Sequence, residues 1–400
     1  MQLELFSDTV PLSLAEEVFL AYYACRKNKR NTLNALRFEK HLEHNLFVLI
    51  EQIKTKTYFP GKSIAFIVNK PVKREIFAAD FRDRVVHHFL INKLNPIFED
   101  VFIQDSYACR IGKGTHFGIK RVDGFIKSCS NNYKQDCFIL KLDIQGFFMN
   151  INRSILYERL FDFINKKYHE PDRELVLFLC SKIIFNDPTK NCIIKGNKSN
   201  WIGLPNSKSL FYSPLNFGLP IGNLTSQVFA NFYMNIFDHY VKKELDIEFY
   251  GRYVDDFVIV HQDKEYLKSL LPIITNFLKT KLQLTLHPKK IYFQHYSKGV
   301  KFLGTFIKPN RIFISNRTKG NFYTAIMKQN EVVQNTKPSS DDQKQFLSSM
   351  NSYLGIMKHY KTYRLRKKML FKNLSGWWWN QVYLSGGIAK FVLKKKIKTI

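Results

Sequence analysis

The chain has 400 residues, more than one hydrophobic core usually covers, and its 45% apolar content is that of a globular protein, so two or three subdomains are expected. Sixty-two Lys and Arg against 33 Asp and Glu leave a formal charge of +29, a field that concentrates polyanions such as nucleic acid or an acidic membrane surface, although an AT-rich genome would enrich Lys too. Six cysteines with no CxxC pair exclude a zinc ribbon and read as free thiols, and no apolar run reaches the roughly 18 residues of a membrane span.

In chain order, the opening MQLELFSDTV lacks the basic flank and apolar run of a signal peptide, so a soluble, cytoplasmic protein is expected. Residues 12–56 read as two helices, from Leu14, Val18, Phe19, Ala21 and Tyr22, then Leu42, Leu46, Leu49, Ile50 and Ile53. The basic hinge at 26–30 between them is either a solvated loop or a phosphate contact. Tyr58 to Val72 reads as a strand pair punctuated by Pro60, Gly61 and Pro71, and 82–99 as a helix ending near Pro96. Phe138 to Asp143 is a strand, followed by a turn at Gly146 and a helix from near Asn152. Residues 186–217, rich in Asn, Lys, Ser, Gly and Pro, read as an irregular insertion long enough for a functional or partner-binding loop. A helix over about 225–244 precedes a hairpin with its tight turn at Asp255-Asp256. A helix over 264–281 and short strands near 284–293 and 300–314 come next. From about 318 the pattern is helical and basic. Trp377, Trp378 and Trp379 suit a base stack, a core anchor or a protein interface, and the interface is the favoured reading. The histidines, including His87 and His88, lack a third ligand at metal spacing and read as packing or phosphate contacts.

The acids carry the chemistry. Asp255 and Asp256 lie between two apolar runs, Gly251 to Val254 and Phe257 to Val260, where carboxylates cost free energy unless something cationic neutralises them. Asp-Asp by itself is also a common hairpin turn. Asp143, ending the run FILKLD, supplies a second strand with a terminal acid. Carboxylates delivered by two strands to one sheet edge suit hard cations such as Mg²⁺. Two ions about 4 Å apart would activate an attacking oxygen and stabilise a leaving one in phosphoryl transfer.

These segments resemble the motif series of reverse transcriptases. Asp143 with Ile144-Gln145-Gly146-Phe147-Phe148 is similar to motif A, and Tyr253-Val254-Asp255-Asp256 to motif C. Lys70-Pro71 with Arg74-Glu75-Ile76 and Phe81 to His88 resemble the first fingers motif, and Ser106 to His116 the second. Gly218 to Gln227 resembles motif B, Leu286 to Lys290 motif D, and Lys301 to Gly304 the primer grip. Seven motifs in family order span about residues 70–305. Within that family, Ile221 to Gln227 (IGNLTSQ), the spelling at 107–116 and Ser352 to Lys368 resemble the enzymes of diversity-generating retroelements, relatives of group II intron-like bacterial enzymes.

The resemblance implies an α+β right-hand polymerase, with fingers, a palm of antiparallel sheet and packed helices, and a helical thumb. It suggests an N-terminal helical extension at 1–66, fingers and palm at 67–317, and a basic thumb and tail at 318–400. It implies two Mg²⁺ ions, or Mn²⁺, on Asp143, Asp255, Asp256 and the Ile144 carbonyl. Lys70 and Arg74 would grip the dNTP triphosphate, unless they are a solvated strand face. Lys290 would lie near the leaving pyrophosphate, with Lys289 as the alternative. Phe148 would close the sugar pocket against a 2′-hydroxyl, unless it is core. Ile221, Gly222 and Gln227 would border the incoming nucleotide, and Phe302, Leu303 and Gly304 would hold the primer. Ile221 departs from the Gln of most reverse transcriptases, which implies laxer control of base-pair geometry and error-prone synthesis.

Expected partners are a template non-coding RNA, a DNA or RNA primer with its cDNA, dNTPs, and a small basic accessory protein or second subunit. No membrane partner is expected. The expected origin is bacterial or phage-encoded, and no endonuclease or RNase H domain is expected. A bacterial antiphage-defence enzyme copying a non-coding RNA would share all these residues. A non-catalytic RNA-binding protein would have lost the acids, and a two-metal nuclease would lack Phe148, Lys70 and Arg74.

Overall fold

A computed structural model of the chain describes residues 12–27, 32–69 and 72–394. It divides into two compact units, one of Met1–Phe117, Lys141–Ile259 and Glu265–Tyr292, the other of Gly118–Leu140, Val260–Lys264 and Phe293–Ile400.

The first unit opens with three helices where the periodicity suggests two: α1 (Leu14–Arg26), α2 (Leu33–Glu39) and α3 (Leu42–Lys54). Ser13 and Glu16 form a capping box that starts α1. Arg26, part of the expected hinge, is instead tied to Glu39 at 2.5 Å; residues 28–30 of that hinge lie outside the described residues. The strand pair is shifted relative to the sequence expectation: β1 (Ser63–Val68) and β2 (Arg74–Ala78) pair antiparallel with Ala65 opposite Phe77. Pro60 and Gly61 precede the pair. Helix α4 (Phe81–Val101), capped by Asp80, runs through Pro96 instead of stopping there. Packing against α1 and later α8 outweighs the interior-proline cost of about 3 kcal/mol.

Next come α5 (Thr115–Cys129), which continues into the second unit, then β3 (Phe138–Asp143), α6 (Arg153–Lys167) capped by Asn152, and α7 (Arg173–Ile184). The expected irregular insertion contains a three-residue strand, β4 (Cys192–Ile194), parallel to β1, and three single 3₁₀ turns at Lys198–Trp201, Asn206–Lys208 and Leu210–Tyr212. Helix α8 (Leu224–His239) ends in a π turn, Tyr240–Glu244. Strands β5 (Phe249–Tyr253) and β6 (Asp256–His261) form the hairpin, α9 (Lys264–Leu282) follows, and β7 (Tyr292–His295) runs into the second unit. The central sheet has the order β5-β6-β3-β7.

In the second unit, β8 (Val300–Phe302), β9 (Thr305–Lys308) and β10 (Arg311–Ile314) form an antiparallel meander. Helices α10 (Asn316–Asn335), α11 (Ser340–Met357), α12 (Tyr363–Asn373) and α13 (Gly376–Gln381) build a core around Phe322, Phe346, Met350, Leu370 and Trp378. The chain does not stay helical to the end: β11 (Val382–Ser385) and β12 (Lys390–Leu393) make a hairpin. The tryptophan run is corrected likewise. Trp378 is 0% exposed, stacks on Phe346 at 4.0 Å and donates its indole N–H to the Gln329 carbonyl, while Trp377 and Trp379 pack against the same core. Trp378 thus anchors a core. No disulfide joins the six cysteines, and among the described residues no helix is long and apolar enough to cross a membrane.

Candidate active site

Asp143 ends β3 and Asp256 begins β6, the neighbouring strand; Asp255 lies in the turn just before. The Ile144 N–H donates to the Asp255 carbonyl at 3.2 Å, so the two acid-bearing segments are bonded through their backbones. Asp256 is thus the first strand residue, and the turn is made by Val254 and Asp255. Val254 has φ +59, a left-handed conformation that a β-branched side chain adopts only under constraint. Arg252 supplies that constraint. Fully buried, it donates to the Val254 carbonyl at 2.9 Å and pairs with the equally buried Asp238 at 2.5 Å; Tyr250 also donates to Asp238, at 2.6 Å.

The carboxylates feel one another. Burial, then the Asp143 charge, push Asp255 up from 3.8 to about 6. Burial also raises Asp256, with Lys141 opposing and Asp143 reinforcing the shift. Two ammonium groups balance part of this charge: Lys290 lies 2.7 Å from Asp143 and Lys141 2.7 Å from Asp256. Among the described residues no three His, Cys, Asp or Glu side chains are clustered as a ready-made ion cage. Acids that repel need a cation between them to close up, and here lysines serve one side each. The donors are nonetheless hard oxygens on adjoining strands, the set a divalent magnesium-type ion takes.

Of the two candidate lysines in the 289–290 pair, Lys290 is the one whose ammonium reaches Asp143; the Lys289 N–H is bonded to His287. Arg74, the exposed first residue of β2, lies within electrostatic reach of Tyr253, whose hydroxyl burial raises and the Arg74 charge lowers. Phe148 and Ile221 are both half-buried against one small core of Ala65, Phe77, Met149 and Leu210. The Ile221 carbonyl accepts from Phe77 N–H at 2.8 Å, and a Cβ at Gly222 (φ +123) would stand 2.8 Å from Ile76, so only glycine lets this loop lie against β2. Gln227, in the first turn of α8, accepts from the Cys109 thiol at 2.8 Å. Lys70 lies outside the described residues. Phe302, Leu303 and Gly304 belong to the second unit. Phe302 is buried at the end of β8, and Leu303 (φ +45) and Gly304 (φ +83) make the turn into β9. His87 is buried and held neutral, with burial lowering it to about 3, which fits packing.

Sequence reasoning missed Lys141 and Arg252. Lys141 is two residues before Asp143 and so on the same strand face, a signal the alternation already contained. Arg252 had none beyond its nearness to the turn.

A search among curated proteins found no match. Solved structures similar to the chain include apo telomerase from Candida tropicalis truncated from its C-terminal domain, at 14% identity and TM-score 0.44, covering 69% of this chain and 60% of that one. Telomerase from Candida albicans in complex with a TWJ fragment of telomeric RNA gives 10%, 0.47, 84% and 59%, and the fuller Candida tropicalis apo telomerase 14%, 0.47, 74% and 52%. The chain thus spans roughly half to three fifths of the length of these structures. Residues 69–307, which hold all three acids, match the family model described as reverse transcriptase (RNA-dependent DNA polymerase). With α+β architecture and the acids of β3 and β6 joined on a palm-type sheet, the chain belongs to the reverse transcriptase family, the RNA-directed DNA polymerases of right-hand fold.

Proposed function

We propose that this enzyme copies a dedicated template RNA into cDNA by two-metal nucleotidyl transfer, and that it does so as the error-prone polymerase of a diversity-generating retroelement. The observation that carries the chemistry is the electrostatic convergence of Asp143, Asp255 and Asp256 on adjoining strands. Asp143, Asp255 and the Ile144 carbonyl would hold Mg²⁺ or Mn²⁺, with Asp256 completing the negative pocket. When bound, the ions would activate the primer hydroxyl and stabilise the departing pyrophosphate.

The protein's own groups do the rest. Arg74 and Lys70 bind the triphosphate, Phe148 excludes a 2′-hydroxyl, and Ile221 and Gly222 border the base pair. Lys290 neutralises Asp143 and stands ready beside the leaving group. In this scheme residues 67–317 are fingers and palm, and 318–400 a thumb whose cations follow the template–primer backbone. Phe302, Leu303 and Gly304 steady the primer. The retroelement assignment rests on the sequence likeness of 221–227, 107–116 and 352–368 to that group.

Primer extension on an RNA template tests the chemistry: Asp255→Ala and Asp256→Ala are expected to abolish dNTP incorporation while leaving RNA binding in place. Incorporation that survives both changes ends this reading. Ile221→Gln is expected to lower misincorporation, most visibly opposite template adenine, because a carboxamide restores hydrogen bonds that an aliphatic chain lacks. An unchanged error spectrum counts against the error-prone assignment. Sequencing the RNA and cDNA that co-purify separates a retroelement template from the non-coding RNA of a defence system.

A further inference from the structure

Glu75, next to Arg74 in β2, takes no part in the chemistry above, yet it is 1% exposed. Its carboxylate accepts three hydrogen bonds: from the Trp201 indole N–H at 2.7 Å, the Ser209 hydroxyl at 2.7 Å and the Leu210 N–H at 2.6 Å. Every donor comes from the 186–217 insertion. Three converging donors suit a carboxylate, which only accepts. The nearby Cys192 thiol is raised by burial and further by the Glu75 charge. The same insertion is stitched to the β1–β2 pair elsewhere. β4 pairs with β1, Lys195 N–H donates to the Ala65 carbonyl at 2.9 Å, and the Lys73 ammonium donates to the Ile202 carbonyl at 2.6 Å.

Successive strand residues face opposite ways, so Arg74 is exposed while Glu75 is enclosed by the insertion. Two residues further on, Phe77 holds the Ile221 carbonyl, and Trp201 and Leu210 of the insertion pack in the cluster that includes Phe148 and Ile221. One buried carboxylate therefore ties the insertion to the strand that carries the triphosphate cation and supports the base-pair loop. We propose that Glu75 is a positioning residue for dNTP recognition: it clamps the 186–217 insertion onto β2, making the insertion the outer wall of the nucleotide pocket and fixing Arg74, Phe148 and Ile221 in place. This rests on the polymerase reading of the site.

The test is steady-state single-nucleotide extension by the full-length chain on an RNA template with a DNA primer, paired with thermal unfolding. In Glu75→Gln one oxygen becomes an NH₂ that faces donors. The KM for dNTP is expected to rise about tenfold, the effect of losing a charge-assisted bond, with kcat within about twofold. Trp201→Phe removes the opposing indole N–H, so the double variant is expected to recover part of the lost dNTP affinity, a non-additivity of residues in contact. A folded Glu75→Gln enzyme with unchanged KM overturns the proposal, as does a loss confined to kcat or a double variant with the two effects merely summed. If Glu75→Gln does not fold, Trp201→Phe alone decides: a raised KM supports the clamp and an unchanged KM overturns it. Asp255→Ala, run alongside, is expected to be inactive; activity there would sink the polymerase site itself, whereas an inactive Asp255→Ala beside an indifferent Glu75→Gln sinks only the clamp.

Discussion

Burial pushes the Asp255 carboxyl above its ordinary 3.8, and the Asp143 charge carries it further, to about 6. The folded chain therefore binds more protons than the unfolded chain between those values. Stability contributed by this group is present below about pH 4 and is lost as pH rises through about 6, by on the order of 3 kcal/mol. Urea unfolding of EDTA-treated protein at pH 4 and pH 7 is expected to show that loss in the wild type relative to Asp255→Asn, which removes the titration. Equal pH dependence in both would contradict it. Added Mg²⁺ is expected to reduce the loss at pH 7, because a divalent ion binds the ionised form. Lys290 and Lys141, each 2.7 Å from a carboxylate oxygen, give partial relief of the same kind.

Elements differ in how they hold these residues. The β5–β6 turn is kept in its left-handed conformation by Arg252, whose partner Asp238 is on α8, so helix and hairpin are locked through a buried ion pair. Such a pair adds little net stability but makes the loss of either member costly, which suits a geometry that must be unique. In the second unit, α10, α11 and α13 are joined through Trp378, which fills the core against Phe346 and caps the Gln329 carbonyl. Trp378→Ala is expected to cost about 3–5 kcal/mol, read as a lower denaturation midpoint. Trp379→Ala, at a partly exposed position, is expected to cost less. An equal cost for both would contradict the core assignment. The β11–β12 hairpin was readable in principle: Gly386 and Gly387, both at positive φ, stand between apolar runs, the usual sign of a tight turn, but the basic helical trend upstream masked it.

At the scale of the whole molecule, +29 of formal charge is expected to make phosphate contacts the main source of affinity for a primed template. Binding to a primed RNA template is expected to weaken linearly in a plot of log affinity against log salt. The loss should be about a thousandfold or more between 50 and 200 mM if six or more phosphates are neutralised. A flat salt profile in filter binding would show that the charge has another purpose. Template discrimination, by contrast, is not expected from these cations, because backbone contacts carry little sequence information.

The sequence by itself determined the family and the strand Phe138–Asp143 to the residue, because alternation and motif order are local properties of the chain. Local signals also placed the start of a helix near Asn152 and the turn at Gly146. Only tertiary structure decided what lies beside the acids and what the 186–217 segment packs against. It set the Lys290 ammonium against Asp143, brought Lys141 to Asp256, carried α4 through Pro96 and folded the Asn- and Lys-rich insertion onto Glu75. Those outcomes depend on which distant segment offers a matching donor, charge or surface, and spacing along a chain does not contain that information.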